Sequence, residues 1–292
     1  MHKELTIIIV TFNSDNHVLN LIQKFPKNVK ILLIENSGRK KFKKTIEKNR
    51  KNVQCILTGD NIGYGRANNI GIKYAKTEFV MILNPDALVS SQVIKKLHKI
   101  IKEDKKIAAI SCQSKDDKNK IIKNFNFNKS SKVKEKYNNS NSLIDVDYFI
   151  GSMFLARKKI LLKANLFDEK YFLNFEEIDL FRKISNLGYR ICIEKKLYFK
   201  HLKGSSAKSS MKFEMDKSSK WHYSWSQIYF YKKYYGMIFT LAFFIKELTI
   251  NLTKIIYFLL FGKKKNIILI YYGLLGLINS IIGKKSYYRP KI

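Results

Sequence analysis

The stretch Glu78-Phe79-Val80-Met81-Ile82-Leu83-Asn84-Pro85-Asp86-Ala87 decides the fold class. Its apolar run has the length of a strand and ends in a turn that presents one carboxylate, Asp86. Pro85 lacks an N–H and biases Asn84 toward an extended conformation, so the corner is rigid. Ligands of open α/β sheets bind at the carboxyl ends of strands, and side-chain oxygens there suit a divalent cation that grips a diphosphate. From this tripeptide alone, an ordinary Asn-Pro-Asp turn is the favoured interpretation.

The segments before this stretch alternate between strand-like and helix-like patterns. Short apolar runs occur at residues 5–10, 29–34 and 53–57, and helical patterns at 18–25, 39–51 and 67–75. Strands that are buried on both faces and alternate with helices predict a mostly parallel sheet with right-handed crossovers. The polar residues that follow the strands would then share one edge of the sheet and form a crevice suited to a nucleotide: Thr11, Asn13, Glu35, Asn36, Asn61, Gly63, Asn84 and Asp86.

The middle of the chain continues the pattern less regularly. We expect a helix at 91–103, a strand at 108–112, a polar surface insertion at 113–142, one strand at 145–155, a helix at 158–163 and a strand at 191–199. His201 follows the last strand, before Gly204-Ser205-Ser206. A lone histidine is usually structural, but a strand end beside a polar loop is also a place for a ligand or phosphate contact.

An acidic and aromatic cluster occupies residues 167–180, in a chain that is short of acids. If a helix begins near Glu176, then Glu176 and Asp179 share one face and Glu177 points elsewhere. Acids in a first helical turn also interact favourably with the helix dipole, which is an alternative of equal weight. Arg182 is a candidate ion-pair partner for Asp179.

The composition is strongly basic. The 292 residues carry a formal net charge of +33, and the joint excess of Lys, Ile, Asn, Tyr and Phe is the bias of an AT-rich genome. Twenty-two Lys and Arg follow Asp179, against four acids, so the basic excess coincides with the apolar stretches. This favours a membrane surface over nucleic acid, since no DNA- or RNA-binding motif accompanies it. A non-catalytic basic protein that binds nucleic acid or anionic membrane is the alternative function.

Three separated cysteines, Cys55, Cys112 and Cys192, lack metal-site spacing and predict reduced thiols in a reducing compartment. The run 5–10 is too short for a signal peptide. Near the C-terminus, residues 221–235 resemble an aromatic interfacial belt, and 236–261 are apolar but interrupted by charges. Residues 266–283 form an uncharged run of eighteen between lysine clusters, at the lower limit for a spanning helix. This favours helices that lie in the cytoplasmic leaflet over a core helix or an oligomer interface.

From about residue 5 to residue 206, the chain resembles the inverting family 2 glycosyltransferases with a GT-A fold, and most closely their rhamnosyltransferase-like branch. The motifs occur in the order of the family: Thr11-Phe-Asn13, Glu35-Asn-Ser37, Asn61-Ile-Gly-Tyr-Gly-Arg-Ala-Asn-Asn-Ile-Gly71, Leu83-Asn-Pro-Asp86, Gly151-Ser-Met153, Phe167-Asp-Glu169, Phe175-Glu-Glu-Ile-Asp-Leu180 and His201.

The resemblance implies a role for each matching residue. Thr11, Asn13, Glu35, Asn36, Asn61, Gly63, Asn69, Asn84 and Asp86 would bind the nucleotide-sugar, and Gly151, Asp168 and Glu169 would lie near the acceptor. Asp86 would bind Mg²⁺ or Mn²⁺ together with His201, although Asn84 replaces the first acid of the family's DxD element. Glu177 would be the catalytic base, with Glu176 and Asp179 as alternatives, because Glu stands where the family usually has Asp.

The predicted fold is therefore α/β, a GT-A (Rossmann-like), mostly parallel sheet with flanking helices and a C-terminal apolar and aromatic helical appendage. We expect a catalytic domain at 1–210 and a basic helical region at 211–292 for membrane association or oligomerisation. The implied enzyme is a hexosyltransferase that moves a sugar from a dTDP- or UDP-sugar donor, such as rhamnose from dTDP-rhamnose, to a lipid-linked or cell-surface polysaccharide. It would act at the inner face of the cell membrane, and the donor, acceptor and linkage are not encoded in these motifs.

Overall fold

The computed structural model describes residues 3–127, 132–135, 141–202 and 212–290. The chain divides into two compact units. The first comprises Met1–Asp168 and Glu177–Ser206, and the second comprises Glu169–Glu176 and Ala207–Ile292. The domains expected at 1–210 and 211–292 stay a prediction, and the structural units differ from them in assigning Glu169–Glu176 to the second unit. The predicted loop at Gly204-Ser205-Ser206 lies outside the described residues.

Helices and strands alternate through most of the first unit. The elements between residues 3 and 202, in chain order, are β1 (Leu5–Thr11), α1 (Asp15–Gln23), β2 (Lys30–Glu35), α2 (Lys40–Asn49), β3 (Val53–Leu57), α3 (Tyr64–Tyr74), β4 (Phe79–Leu83), β5 (Ala87–Leu88), α4 (Ser91–Glu103), β6 (Ile107–Lys115), β7 (Ile121–Ile122), β8 (Phe125–Asn126), α5 (Lys132–Glu135), β9 (Leu143–Asp145), β10 (Tyr148–Phe149), β11 (Met153–Arg157), α6 (Lys158–Lys163), α7 (Glu176–Asn186) and β12 (Arg190–His201).

The main sheet has the strand order β3-β2-β1-β4-β11-β6-β12-β5. Strands β3, β2, β1 and β4 run parallel to one another. Strand β11 is antiparallel to both β4 and β6, whereas β12 is parallel to β6 and antiparallel to β5. The predicted architecture of a mostly parallel sheet with flanking helices is thereby confirmed, and β11 and β5 add antiparallel pairs to it.

The core consists of two layers, one on each face of the sheet. Alternate residues of β1 enter different layers, with Ile7 and Ile9 on one side and Ile8 on the other, because successive side chains of a strand point to opposite faces. Helices α1, α2 and α4 cover the first face, and α3, α6 and α7 cover the second. All three cysteines are free and buried, as predicted.

Two segments differ from the sequence prediction. The single strand expected at 145–155 is divided among the last residue of β9, all of β10 and the start of β11. Strand β9 pairs with β12, β10 with β8, and β11 with β4 and β6. The expected insertion at 113–142 starts later, because β6 extends to Lys115 and pairs with β7. His201 is the last residue of β12 rather than a residue beyond it.

The second unit is built on two helices, α8 (Lys212–Leu260) and α9 (Lys264–Ile281). Helix α8 is interrupted at Gly236, whose φ of 80° lies in the left-handed region that favours glycine. Helix α9 lies close to the first part of α8, where a Cβ atom at Gly276 would be 2.1 Å from the carbonyl oxygen of Trp221. Within the described ranges, neither helix combines the length and apolar character that a bilayer crossing requires.

Candidate active site

The carboxyl ends of the parallel strands bring the predicted polar residues to one edge of the sheet. Thr11 and Glu35, the last residues of β1 and β2, are register partners, and the N–H of Asn36 donates to the carbonyl of Thr11 at 2.8 Å. The Asn36 side chain donates to Asn61 Oδ1 at 2.9 Å, which ties the turn after β3 to the same edge. The predicted crevice-forming residues of β1, β2 and β3 are therefore neighbours.

Asp86 and His201 meet at this edge although they lie far apart in sequence. Strand β5, which follows Asp86 directly, pairs with the end of β12 so that His201 opposes Ala87. The carbonyl of Asp86 accepts a hydrogen bond from the N–H of Leu202 at 3.0 Å. This pairing places His201 Nε2 3.5 Å from Asp86 Oδ1, with side-chain exposures of 12% and 8%. The structure thus brings together the two residues that were predicted to bind a cation.

The donor set of this pair fits a divalent cation. A carboxylate and an imidazole are both metal ligands in proteins, and Mg²⁺ characteristically takes one or two protein groups, with substrate phosphates and water completing its shell. No group of three or more His, Cys, Asp or Glu suited to a metal occurs in the described part of the chain. A cation bound here would therefore depend on the substrate for most of its ligands.

Glu177 lies in the first turn of α7, beside the loop that precedes β11. Its carboxylate accepts hydrogen bonds from the backbone N–H groups of Gly151 and of Glu177 itself, and burial nevertheless raises the pKa of Glu177 above its ordinary value. The residue is half-buried, and its Oε2 atom has no hydrogen-bond partner among the described residues. An uncompensated carboxylate oxygen with a raised pKa is suited to accepting a proton.

The two alternatives to Glu177 have different surroundings. Asp179 is fully buried and forms a salt bridge with Lys183, at 3.1 Å, one turn further along α7. Lys183 also donates to the carbonyl of Leu166 at 2.6 Å, so Asp179 belongs to a packed ion-pair network. Glu176 is 4% exposed and is assigned to the second unit. Glu177 is the least buried of the three acids, and its role as the base stays a prediction.

Tyr64 also lies at this edge, although its sequence position predicted no role for it. Its hydroxyl lies 2.9 Å from Asn84 Oδ1 and 2.8 Å from the carbonyl oxygen of Gly151. Asn84 precedes the Asp86 turn, and Gly151 holds Glu177, so one hydroxyl touches both the cation side and the base side of the site. The position of Tyr64 in the motif Asn61-Ile-Gly-Tyr64 is the signal that could have identified it.

Two of the predicted nucleotide-binding residues, Glu35 and Asn36, form hydrogen bonds with neighbouring residues of the protein. The buried carboxylate of Glu35 accepts hydrogen bonds from the N–H groups of Ser37 and Arg39, at 3.1 and 2.7 Å, where α2 begins. Asn36 Oδ1 accepts from the Thr58 hydroxyl and the Ile62 N–H, at 3.0 and 3.1 Å. These contacts fix the turns after β2 and β3. Direct contacts of Glu35 and Asn36 with a nucleotide stay predictions.

The other predicted nucleotide-binding residues differ in location. Thr11 and Asn13 lie at this edge of the sheet, whereas Asn69 contacts another loop. The hydroxyl of Thr11 is buried and has no partner among the described residues, whereas the N–H of Asn13 binds the Ser37 hydroxyl at 3.0 Å. The Asn69 amide pairs with both backbone groups of Phe167, at 2.9 and 3.0 Å, and so anchors the loop just before Asp168.

The remaining predicted residues are Gly63, Asp168 and Glu169. Gly63 precedes α3, and its N–H donates to Asn61 Oδ1 at 3.1 Å. Glu169 begins the segment that belongs to the second unit. Roles for Asp168 and Glu169 at an acceptor stay predictions.

Residues 6–163 match the family described as Glycosyl transferase family 2. The low-salt glycan biosynthesis hexosyltransferase Agl10 of Haloferax volcanii is 23% identical over 194 residues, which cover 61% of each protein. The rhamnosyltransferase WbbL of Escherichia coli (strain K12) is 23% identical over 211 residues, which cover 63% of this chain and 78% of WbbL. The predicted membership of glycosyltransferase family 2 is thereby confirmed.

Two solved structures are similar in fold. GalNAc-T7 with UDP, GalNAc and Mn²⁺ aligns with a TM-score of 0.56 and 14% identity over 76% of this chain and 47% of that protein. The mannosyltransferase PcManGT from Pyrobaculum calidifontis, in complex with GDP-Man and Mn²⁺, aligns with a TM-score of 0.56 and 10% identity over 95% of this chain and 87% of that protein. These likenesses confirm the GT-A fold. The chain spans less than two thirds of the length of Agl10 and of GalNAc-T7.

Proposed function

The chain belongs to glycosyl transferase family 2, and from that premise we propose that it transfers a hexosyl group from a nucleotide-sugar to a hydroxyl of a glycan, with inversion at the anomeric carbon. The observation that carries this proposal is the meeting of Asp86 and His201 at the carboxyl edge of the sheet, 3.5 Å apart. Their position at the ends of β4 and β12 is where a doubly wound sheet binds the phosphates of a nucleotide.

Asp86 and His201 are the residues that would hold Mg²⁺ or Mn²⁺. The bound cation would stabilise the negative charge that develops on the departing diphosphate. The Mn²⁺ in the related structures of GalNAc-T7 and PcManGT supports the choice of a divalent cation. The packing of β5 against the end of β12 keeps both side chains at the edge.

Glu177 would act as the base. The acceptor hydroxyl transfers its proton to Glu177 Oε2, and its oxygen forms a bond to the anomeric carbon. The bond between that carbon and the diphosphate oxygen breaks at the same time, and its electron pair leaves with the diphosphate. The raised pKa of Glu177 makes the carboxylate a stronger base, and the N–H of Gly151 keeps it oriented. One displacement with one base inverts the configuration.

The donor and acceptor follow from the curated relatives rather than from the site. WbbL is named as a rhamnosyltransferase, and this supports rhamnose, from a dTDP- or UDP-linked donor, as the transferred sugar. Agl10 is named for glycan biosynthesis, and this supports a lipid-linked or cell-surface polysaccharide acceptor.

A thermal-shift panel of dTDP-, UDP- and GDP-sugars, each with and without Mn²⁺, tests the proposal. A ligand at 100 times its Kd stabilises the folded state by about 2.7 kcal/mol, which corresponds to a Tm increase of roughly 5–10 °C for a unit of this size. We expect one base to give this shift, and Mn²⁺ to increase it. Turnover is then measured as release of the nucleoside diphosphate.

Asp86→Asn should lose the Mn²⁺-dependent part of the shift and the turnover. Glu103→Gln is the matched control, because Glu103 is an exposed carboxylate at the end of α4, before the amino end of β6. The proposal is contradicted if no nucleotide-sugar shifts the Tm, or if Asp86→Asn and Glu103→Gln behave alike.

A further inference from the structure

The part of α8 beyond Gly236 exposes an unusual amount of apolar surface. We call residues 237–261 the distal segment. Within it, Thr240 is the single buried residue. Ile238 is 88% exposed, Leu260 is 79% exposed, and several other large apolar side chains are between 43% and 62% exposed: Met237, Phe239, Leu241, Ile245, Leu252, Ile256, Tyr257, Leu259 and Phe261. Apolar surface of this extent marks an interaction site.

Five exposed apolar residues of the distal segment follow helical spacing. Ile238, Leu241, Ile245, Leu252 and Ile256 are separated by three, four, seven and four residues, which places them on one side of the helix. From Ile238 to Ile256 the stripe covers about five turns of the helix, so it is roughly 27 Å long. A stripe of this length on one side of a helix can lie flat against a surface.

Charge identifies the kind of surface. Lys246 and Lys254 lie within the distal segment, three further lysines follow it at 263–265, and Glu247 is the lone acid between residues 217 and 290. A second copy of the chain would bring the same lysines together on both sides of an interface, where they repel each other. An anionic partner would neutralise them.

Aromatic residues lie at both ends of the distal segment. Near its start, the Phe239 and Tyr235 rings are 5.2 Å apart, and the Phe243 and Tyr231 rings are 4.4 Å apart. Near its end, the Tyr257 and Phe261 rings are 4.6 Å apart. Amphipathic aromatic side chains favour the boundary between lipid headgroups and acyl chains.

We propose that the distal segment docks the protein on the surface of an anionic lipid bilayer, with its apolar stripe in the acyl-chain boundary and its lysines among the headgroup phosphates. The helix lies in the plane of the membrane, because Lys246, Glu247 and Lys254 interrupt its apolar run and the described helices lack a spanning segment. This surface is independent of the donor chemistry and would bring the enzyme to a lipid-linked acceptor.

The test is co-sedimentation of the full chain with vesicles of phosphatidylcholine alone and with vesicles that contain 30% phosphatidylglycerol. We expect binding to the anionic vesicles only. Ile245→Glu combined with Ile256→Glu should weaken that binding by at least about a hundredfold, since two apolar side chains at the centre of the stripe become charged. Ile121→Glu combined with Leu162→Glu is the matched control, because these two apolar residues are also exposed and lie in the first unit.

A second variant tests the charge. Replacing Lys263, Lys264 and Lys265 by Gln leaves the apolar stripe intact and should weaken binding to the anionic vesicles by about a hundredfold at low salt, at roughly fivefold per lysine. Equal binding to both kinds of vesicle, no binding by the unmodified chain, or equal binding by the stripe variant and its control would overturn the proposal. So would a lipid-free dimer that the stripe variant converts to monomers.

Discussion

Replacing Glu177 by Gln allows the catalytic role of this residue and its effect on stability to be measured separately. The substitution keeps the shape of the side chain and an oxygen that can accept the N–H of Gly151, but an amide cannot take up the acceptor proton. Loss of a general base lowers kcat by 10²–10⁴, which is about 2.7–5.5 kcal/mol of transition-state stabilisation. We therefore expect kcat to fall by this factor while binding of the nucleotide-sugar, read from the thermal shift, remains unchanged.

The same substitution should stabilise the fold at neutral pH. Burial raises the pKa of Glu177 above its ordinary value of 4.5, so the folded protein binds this proton more tightly than the unfolded chain does. The stability from Glu177 is thus fully present below pH 4.5 and is lost as the pH rises through the raised pKa. Gln carries no charge at any pH. The Tm of Glu177→Gln should exceed that of the unmodified chain at pH 8, and the difference should shrink as the pH falls to 4.5.

The assay compares release of nucleoside diphosphate and Tm for three proteins across pH 4.5–8: the unmodified chain, Glu177→Gln and Glu103→Gln. Glu103 is 65% exposed in its side chain, so its replacement should alter neither quantity appreciably. The unmodified enzyme should lose activity as the pH falls through the raised pKa of Glu177. Retention of more than a tenth of kcat by Glu177→Gln, or a Tm difference that grows toward acid pH, would refute the reasoning.

Three further substitutions test other parts of the structure. Tyr64→Phe removes a hydroxyl that touches two acceptors, at a cost of about 1–2 kcal/mol, so kcat/KM should fall roughly 5–30-fold, and an unchanged value would contradict a positioning role. Gly276→Val places atoms against the Trp221 carbonyl and should lower the Tm by several degrees, whereas Gly273→Ala, whose Cβ would lie 3.3 Å from a single flexible side-chain atom, should be tolerated in the same melting experiment. Burial lowers the pKa of His222 from 6.5 to about 3. The free energy of unfolding should therefore decrease as the pH falls below 6.5, by about 2 kcal/mol at pH 5. His222→Gln should show a smaller loss of Tm between pH 7.5 and pH 5 than the unmodified chain, and an equal loss would contradict this.

The fold was predictable wherever burial alone determines the pattern. The runs that became β1, β2, β3 and β4 are apolar on both faces, and such runs fit few arrangements other than a parallel sheet covered by helices. Residues 145–155 were predicted wrongly as one strand because apolar content does not reveal which other strand a segment pairs with. Their three short strands pair with four different strands elsewhere in the chain.

The residues of the site could be predicted from the sequence better than the contacts between them. Asp86 and His201 could be singled out because each ends a strand, but their separation depends on β5, a strand of two residues. The choice among Glu176, Glu177 and Asp179 could not be made from spacing. It depends on Lys183 reaching Asp179 and on Gly151 reaching Glu177, and the second contact joins segments that are distant in sequence.

Asn84 shows why the cation side and the base side are coupled. Its Oδ1 lies 2.9 Å from the Tyr64 hydroxyl, which is also 2.8 Å from the carbonyl of Gly151. A hydroxyl has one hydrogen to donate, so the two oxygens share it. The amide of Asn84 accepts that hydrogen without adding a second negative charge to the turn that carries Asp86. Because Gly151 also holds Glu177, the Tyr64 hydroxyl influences both sides of the site, and its removal should reduce kcat/KM by more than the accompanying loss of stability would cause.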